Sequence, residues 1–480
     1  MADSHEDKTR RSALPQVSKS TNGSGSKQGG TVEFEPFTDA GNANRFLEQW
    51  HQEARWVPSW KCWLVWDGSH WKRDELGRVK EMAKGTARAF TVHALRLNDA
   101  SRDSAIRHAL RSEHASRLEA MVTVAKTDPG ICIEAAKLDT DPYLLNCLNG
   151  TIDLRTGKLR THDPRDQLTK ISPVTFNPDA RDPIWERFLR EITRDDLGLA
   201  EYLQRVAGYS LTGETSEEIL LFLLGPPLTG KTTFLEAMKS VMGDYAGTAD
   251  FETFLKRNQP QTARNDLARL KGVRLVTASE APASRAFDEA TIKQITGGDT
   301  ITTRFLYGEY FEYRPQFTIW LAANHQPTVR DNDPAMWRRL KVVPFENSVS
   351  ADARDSKMKH HLTDPVEAGP AVLAWMVCGA LKWQKSGLRE PSVVTQATSQ
   401  YRSTMETFSE FVEECCVEGP EHWVQSDLLF EEHERWSREN IEQSPQSQRA
   451  ISKLLRKRGC EPTKRNQKRG WQGIGLKDSA

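Results

Sequence analysis

Ile219 to Leu224 is an unbroken apolar run, and it leads into Gly225-Pro226-Pro227-Leu228-Thr229-Gly230-Lys231-Thr232-Thr233. Two glycines separated by four residues, then a lysine and a hydroxyl, form a pattern suited to phosphate. Glycines at those positions let successive backbone N–H groups close around phosphate oxygens. Lys231 can reach the β and γ phosphates, and the Thr232 hydroxyl can help hold Mg²⁺. All nine residues are therefore candidate ATP contacts. The alternative is a chance glycine loop. A buried strand before it and an amphipathic helix after it speak against that alternative.

Three more groups follow in order. Val273 to Ala278 is a largely apolar strand ending at Ser279-Glu280. A carboxylate at a strand end beside a phosphate loop can polarise water or contact Mg²⁺; an ordinary strand-end acid is the competing reading. Phe317 to Ala323 predicts a third strand, ending at Asn324, whose amide can orient the attacking water. Arg338 and Arg339 follow Trp337. Either guanidinium could reach a neighbouring subunit's γ phosphate, with Arg339 the first choice and Arg338 its competitor. A solvated or core-pairing arginine is the plainer account of each.

The elements that must position these residues fall into four segments. Residues 1–32 are rich in Ser, Gly and Lys and nearly free of large apolar residues, the composition of a disordered tail. Residues 33–182 form an α+β region. Six tryptophans fall between Trp50 and Trp71, and Asp67-Gly68, Asn149-Gly150 and Thr156-Gly157 mark hairpin turns. Helical periodicity is expected from Glu81 to about Ala125. Residues 183–400 carry the nucleotide motifs and an apolar helix from Pro370 to Leu388. Residues 401–480 begin with a helix over Thr404–Glu414, a junction.

The last segment fits a winged helix: a helix over Ser426–Asn440, a second over Gln446–Arg458, and a basic wing from Lys464 to Trp471. From Ile451 onward nine Lys/Arg face two acids. Arg449, Lys453, Arg456 and Lys457 on the second helix are candidate DNA contacts, with Lys464, Arg465, Lys468 and Arg469 on the wing. A solvated charged helix is the alternative.

Bulk composition limits the rest. At 480 residues the chain is long enough for several domains, and Lys+Arg (66) balances Asp+Glu (66), so charge alone does not indicate nucleic acid. No apolar stretch is long enough to span a bilayer, and the first residues lack a secretory h-region. The seven cysteines show no CxxC spacing, which fits a reducing cytoplasm.

GPPLTGKTT, RLVTASE, IKQITGGDTITTRF, FTIWLAANHQP and WRRLKVVPFE together resemble the superfamily 3 helicases of phages, plasmids and DNA viruses. They are most similar to the helicase half of phage/plasmid primase-helicases and to the poxvirus primase-helicase. LNGTIDLRTGKLRTHDP before the motor and RKRGCEPTKRNQKRGWQGIGL after it extend the resemblance over about residues 40 to 477.

The resemblance implies an AAA+-like motor of α/β class between the α+β and winged-helix domains. It implies a homo-hexameric ring with ATP and Mg²⁺ at subunit interfaces, moving 3′ to 5′ on single-stranded and forked DNA. Lys231, Thr232, Glu280 and Asn324 would act in cis and an arginine in trans. Residues 300–317 would form a hairpin in the ring channel, with Arg304 gripping phosphate, Tyr307 stacking on bases and Lys293 on the helix before it; an ordinary surface hairpin is the alternative. The expected setting is a bacterial cytoplasm, with a phage, prophage or plasmid as the source and a separate primase or polymerase as partner.

Two departures stand out. The usual acidic pair at the second strand is Ser279-Glu280, leaving one carboxylate. No paired-acid strand motif for polymerase metals precedes the motor, so no primer synthesis is expected. Rival functions with the same ATP residues are a remodeller or loader of replication proteins and a non-catalytic origin-binding initiator.

Overall fold

The tryptophan-rich stretch builds the first small core. A computed structural model describes residues 36–256, 264–279, 285–327, 329, 334–347, 356–440 and 446–477; the expected tail and Glu280 lie outside them. After α1 (Asp39–Trp50), the antiparallel strands β1 (Ala54–Val57), β2 (Cys62–Trp66) and β3 (Trp71–Arg73) form one sheet. Asp67 closes the β2–β3 turn by accepting from the Ser69 and His70 N–H groups, both at 2.9 Å. The helical stretch resolves into α2 (Arg78–Ala94), α3 (Asp99–Ser112) and α4 (Ala115–Ala125), because the chain breaks at Asn98 and His114. Ala43, Phe46, Met82, Ala83, Met121 and Val122 pack between α1, α2 and α4.

A second meander, β4 (Leu144–Cys147), β5 (Gly150–Asp153) and β6 (Lys158–Arg160), lies against the motor rather than against the first sheet's core. Leu145, Ile152 and Leu154 share a core with Val206, Met238 and Met376. The buried Arg274 guanidinium ties the two parts together by donating to Leu211 O (2.8 Å) and Leu144 O (2.9 Å). Carbonyls that chelate a buried cation recover much of its desolvation cost.

The motor begins with α5 (Pro183–Thr193), capped by Asp182, and α6 (Leu197–Tyr209). Then come β7 (Leu220–Leu224), α7 (Lys231–Met242), β8 (Ala246–Thr248), the short α8 (Asn265–Ala268) and β9 (Leu275–Ser279). Next are α9 (Glu289–Thr296), β10 (Ile301–Thr303), β11 (Phe311–Tyr313), β12 (Thr318–Ala323), α10 (Pro334–Arg339) and β13 (Leu340–Pro344). Strands β13-β7-β12-β9-β8, in that spatial order, make one wholly parallel sheet.

Alternation along β7 explains its continuous hydrophobicity: Leu221 and Leu223 enter one core, Leu220 and Phe222 the other. Helices α11 (Ser356–Thr363) and α12 (Gly369–Ser386) finish the first face. Helix α12 crosses α6 so closely that a Cβ on Gly208 would lie 2.0 Å from the Ala380 nitrogen.

The chain then runs through α13 (Ser392–Cys415), a single helix of 24 residues. It begins twelve residues before the Thr404 start read from sequence, and the boundary placed at 400/401 falls inside it. Val394, Tyr401, Met405, Phe408 and Val412 make its buried stripe. The β-branched start, Ser392-Val393-Val394-Thr395, disguises the first turns. Strand β14 (Cys416–Gln425), α14 (Ser426–Asn440), α15 (Gln448–Lys457), β15 (Glu461–Arg465) and β16 (Lys468–Leu476) follow, with sheet order β14-β16-β15. Asn466 and Gln467, both at positive φ, make the two-residue turn of the last hairpin. Among the described residues no helix is long and apolar enough to cross a membrane.

Candidate nucleotide and nucleic-acid site

Strand register brings the nucleotide motifs together. Leu224 pairs with Ala323, so Gly225 and Asn324 leave adjacent strands side by side, and the Gly225 N–H donates to Ala323 O at 3.4 Å. Ala322 pairs in turn with Ser279 at the end of β9. The C-terminal ends of β7, β12 and β9 therefore form one edge. Asn324 is exposed there; Glu280, the expected carboxylate, lies outside the described residues.

Both loop glycines are forced by close approach. A Cβ on Gly225 would lie 1.8 Å from Phe345 O, and one on Gly230 2.7 Å from the Ile192 Cγ2 and 3.0 Å from Phe188. Gly230 also takes φ +86 as the cap of α7. Phe188 and Ile192 of α5 thus seat the loop, a supporting role that the motif itself does not reveal. Pro226, Pro227 and Leu228 are exposed, Leu228 at φ +69, while Thr229 is buried beneath them.

The Lys231 ammonium donates to Gly225 O (2.9 Å), Pro226 O (2.7 Å) and Thr229 Oγ1 (3.1 Å). Burial pushes its pKa down to about 8. Thr232 and Thr233 follow on the first turn of α7, Thr232 exposed and Thr233 half-buried. Among the described residues no group of three His, Cys, Asp or Glu side chains could hold a metal. A Mg²⁺ ion here would take the Thr232 hydroxyl and rely otherwise on phosphate oxygens and water, which matches its usual binding.

The arginine pair sits at the other end of the sheet. Leu340 pairs with Leu220, so Arg338 and Arg339 lie at the N-terminal edge of β13. Their side chains differ. Arg338 is 68% exposed, whereas Arg339, the first choice from sequence, is 10% exposed. Arg339 donates to Ala335 O (3.0 Å) and Glu218 Oε2 (2.8 Å), so it is held inward rather than offered to a neighbour. Arg338 meets the same Glu218 oxygen at 2.6 Å. Glu218 escaped the sequence reading. The signal was its position, two residues before β7, equivalent to Arg338 before β13 in the parallel register.

Helix α9 stops at Gly297-Gly298 and feeds the β10–β11 hairpin. At its tip Tyr307 is 98% exposed, with φ +62. Phe305, Leu306 and Tyr310 are also exposed, aromatic and apolar surface that sequence reasoning did not single out. The Arg304 guanidinium lies 4.7 Å over the Tyr310 ring, across the hairpin. Lys293 is half-buried on α9.

In the C-terminal segment Arg449, Lys453 and Arg456 are exposed on α15, and Lys464, Arg465, Lys468 and Arg469 on the β15–β16 hairpin. Arg465 also lies over Trp423 and bonds Gln472. Lys457 corrects the sequence reading: it is 3% exposed, not on the outer face. It falls three residues after Leu454 and six after Ile451, within the helix's buried stripe.

Burial, and then Lys453, push the Lys457 pKa down to about 7 from an ordinary 10.5. The unfolded chain therefore binds more protons across that interval, and stability should rise with pH through it. Replacing Lys457→Met should raise the unfolding free energy at pH 7 by about 1–3 kcal/mol and flatten that rise. Denaturant titrations at pH 7 and 9.5 check both parts.

Comparison with known proteins adds a lineage. The family described as "D5 N terminal like" matches residues 43–194, and a family of unknown function, DUF5906, matches residues 223–339. A candidate helicase of Acanthamoeba polyphaga mimivirus, L207/L206, is 30% identical over 324 residues, covering 63% of this chain and 34% of its own. Primase D5 of fowlpox virus is 24% identical over 229 residues, 45% of this chain and 28% of its own. The chain thus spans about a third of the length of the curated relatives it matches. A solved apo structure of the NrS-1 C-terminal region aligns at 9% identity and TM-score 0.45, over 88% of this chain and 96% of that one. By sequence, the chain is a relative of the primase-helicase family represented by these viral proteins.

Proposed function

We propose that this chain is the motor of an ATP-dependent replicative DNA helicase, working as a homo-hexameric ring and moving 3′ to 5′ on single-stranded DNA. One observation carries the reading. The phosphate loop and Asn324 lie at one edge of the parallel sheet, and the arginine pair lies at the opposite edge of the neighbouring strands. Five residues of strand separate them, about 16 Å at the usual rise. An arginine so placed serves a nucleotide bound to the next subunit, not its own.

In this reading the backbone N–H groups from Gly225 to Thr233 cradle the phosphates, and Lys231 leaves its loop carbonyls to bind phosphate oxygens. Asn324 orients the attacking water, with Glu280 as its general base. Mg²⁺, held by the Thr232 hydroxyl, would supply charge neutralisation to the phosphates. Arg338 of the adjoining subunit completes the site. Arg304, Tyr307 and the exposed aromatic tip engage the single strand by phosphate contact and stacking, and their sequence tolerance suits a translocating motor.

The C-terminal order helix–strand–helix–helix–strand–strand, with its last hairpin bearing Lys464, Arg465, Lys468 and Arg469, supports a winged-helix DNA contact. The names of the relatives support a place in viral-type DNA replication, and a bacterial cytoplasm with phage, prophage or plasmid origin remains our proposed setting. A separate primase or polymerase would supply primers.

The test is unwinding of a forked duplex, together with ATP turnover with and without single-stranded DNA. Strand displacement and DNA-stimulated turnover are expected. Turnover indifferent to DNA, with no displacement, would instead identify a remodeller of protein partners.

A further inference from the structure

Two guanidinium groups converge on one carboxylate oxygen at the sheet edge opposite the phosphate loop. Arg338 Nη2 lies 2.6 Å from Glu218 Oε2, and Arg339 Nη2 lies 2.8 Å from the same atom. The three residues are not equivalent. Arg339 is buried and locked by Ala335 O, and its Nε is buried with no hydrogen-bond partner among the described residues. Glu218 is held at φ +50, a left-handed conformation uncommon for a side-chain-bearing residue, in a turn closed by its own N–H to Thr215 O. Arg338 alone projects outward.

The same cluster touches the segment that feeds the hairpin. A Cβ on Gly297 would come within 3.6 Å of Arg339 Nη2, and one on Gly298 within 3.1 Å of Thr215 Oγ1. The loop after α9 therefore lies beside Arg339 and the Thr215–Glu218 turn.

We infer that Glu218 is the positioning residue for the arginine that acts across the subunit boundary. Its oxygen, anchored from beneath by buried Arg339, holds the Arg338 guanidinium at a fixed place and angle on the outer edge. The inference rests on the proposed trans site. It adds a residue that touches no nucleotide yet sets the geometry of the one that does. Arg339 contributes only the anchor, and its contact with Gly297 ties that geometry to the base of the hairpin.

Physical chemistry favours this division of labour. An exposed arginine left to itself samples many rotamers, and ordering it at the moment of reaction costs entropy. A carboxylate that pre-orders it reduces that cost. Arg339 keeps the carboxylate from following Arg338 toward a phosphate. A misplacement of about 1 Å in such a group costs on the order of a hundredfold in rate.

The test uses the whole chain and four variants. Glu218→Gln keeps the shape and one acceptor but removes the charge. Its kcat should fall roughly tenfold to a hundredfold while KM for ATP stays within about twofold. Mixed with Lys231→Ala subunits, which keep an intact Glu218 and Arg338 but cannot bind ATP, the Glu218→Gln subunits should regain turnover. Mixtures of Arg338→Ala with Lys231→Ala serve as the reference, and Glu218→Asp serves where the glutamine variant melts early.

Recovery in both mixtures supports the assignment. Recovery in the reference alone, with Glu218→Gln rings assembled, overturns the role of Glu218 and leaves the trans arginine standing. No recovery in either, with rings assembled, overturns the trans reading on which the inference rests. A Glu218→Gln protein with unchanged kcat also overturns the role of Glu218.

Discussion

Arg338→Ala should lower kcat for ATP hydrolysis by about 10³-fold while nucleotide still binds, because the lost group serves only the transition-state charge. The structural basis is the contrast within the pair. Arg338 is exposed at the sheet edge remote from its own phosphate loop, and Arg339 is internal. Arg339→Ala should behave differently: removing a buried guanidinium that anchors Glu218 and packs near Gly297 should lower the melting temperature as well as the rate. Stopped-flow binding of a fluorescent ATP analogue separates the two cases. Unchanged affinity with a collapsed rate is expected for Arg338→Ala. A similar collapse of binding would place Arg338 in the cradle of its own subunit, contrary to the sheet register.

Lys231→Ala should abolish nucleotide binding and turnover with it, a loss of at least about 10³-fold. Lys231 is the one ammonium within the loop; it is buried there and donates to three oxygens of that loop. Its depressed pKa gives a second, graded expectation. With the group near pKa 8 before phosphate arrives, the charged, binding-competent form dominates below pH 8 and declines above it. Phosphate binding restores the charge and takes up a proton. ATP affinity should therefore be flat between pH 6.5 and 7.5 and weaken by up to about tenfold per unit above pH 8. Calorimetry in buffers of different ionisation enthalpy measures the proton uptake directly; none at pH 8.5 would mean the ammonium stays charged throughout.

Much of the nucleotide-binding edge was legible because its signals are local. A continuous apolar strand, a glycine-lysine loop and a helix share one stretch of chain, and two more apolar strands end on polar residues. The parallel register then follows from covering both faces of the sheet. Helix α14 was readable to both ends, Ser426–Asn440, because its polar and apolar positions fall on separate faces.

What escaped depends on contacts between distant segments. Nothing near Glu218 announces that it meets residues 120 positions later; only the pairing of β7 with β13 brings them together. The seat of the phosphate loop on Phe188 and Ile192 is likewise tertiary. Lys457 was misjudged because a run of basic residues suggested one exposed face. Helical geometry puts one member of that run behind the others, alongside Leu454 and Ile451. The early start of α13 was hidden by β-branched residues whose weak helix propensity is overridden by packing on β13.

Everything proposed for the motor turns on a catalytic centre shared between two subunits. The most direct measurement is ATP turnover per subunit across a wide range of protein concentrations, with assembly followed by mass photometry in the same samples. The account predicts a rate per subunit that climbs steeply as rings form and is nearly nil in the monomer. A rate per subunit that stays constant down to fully monomeric protein would contradict it.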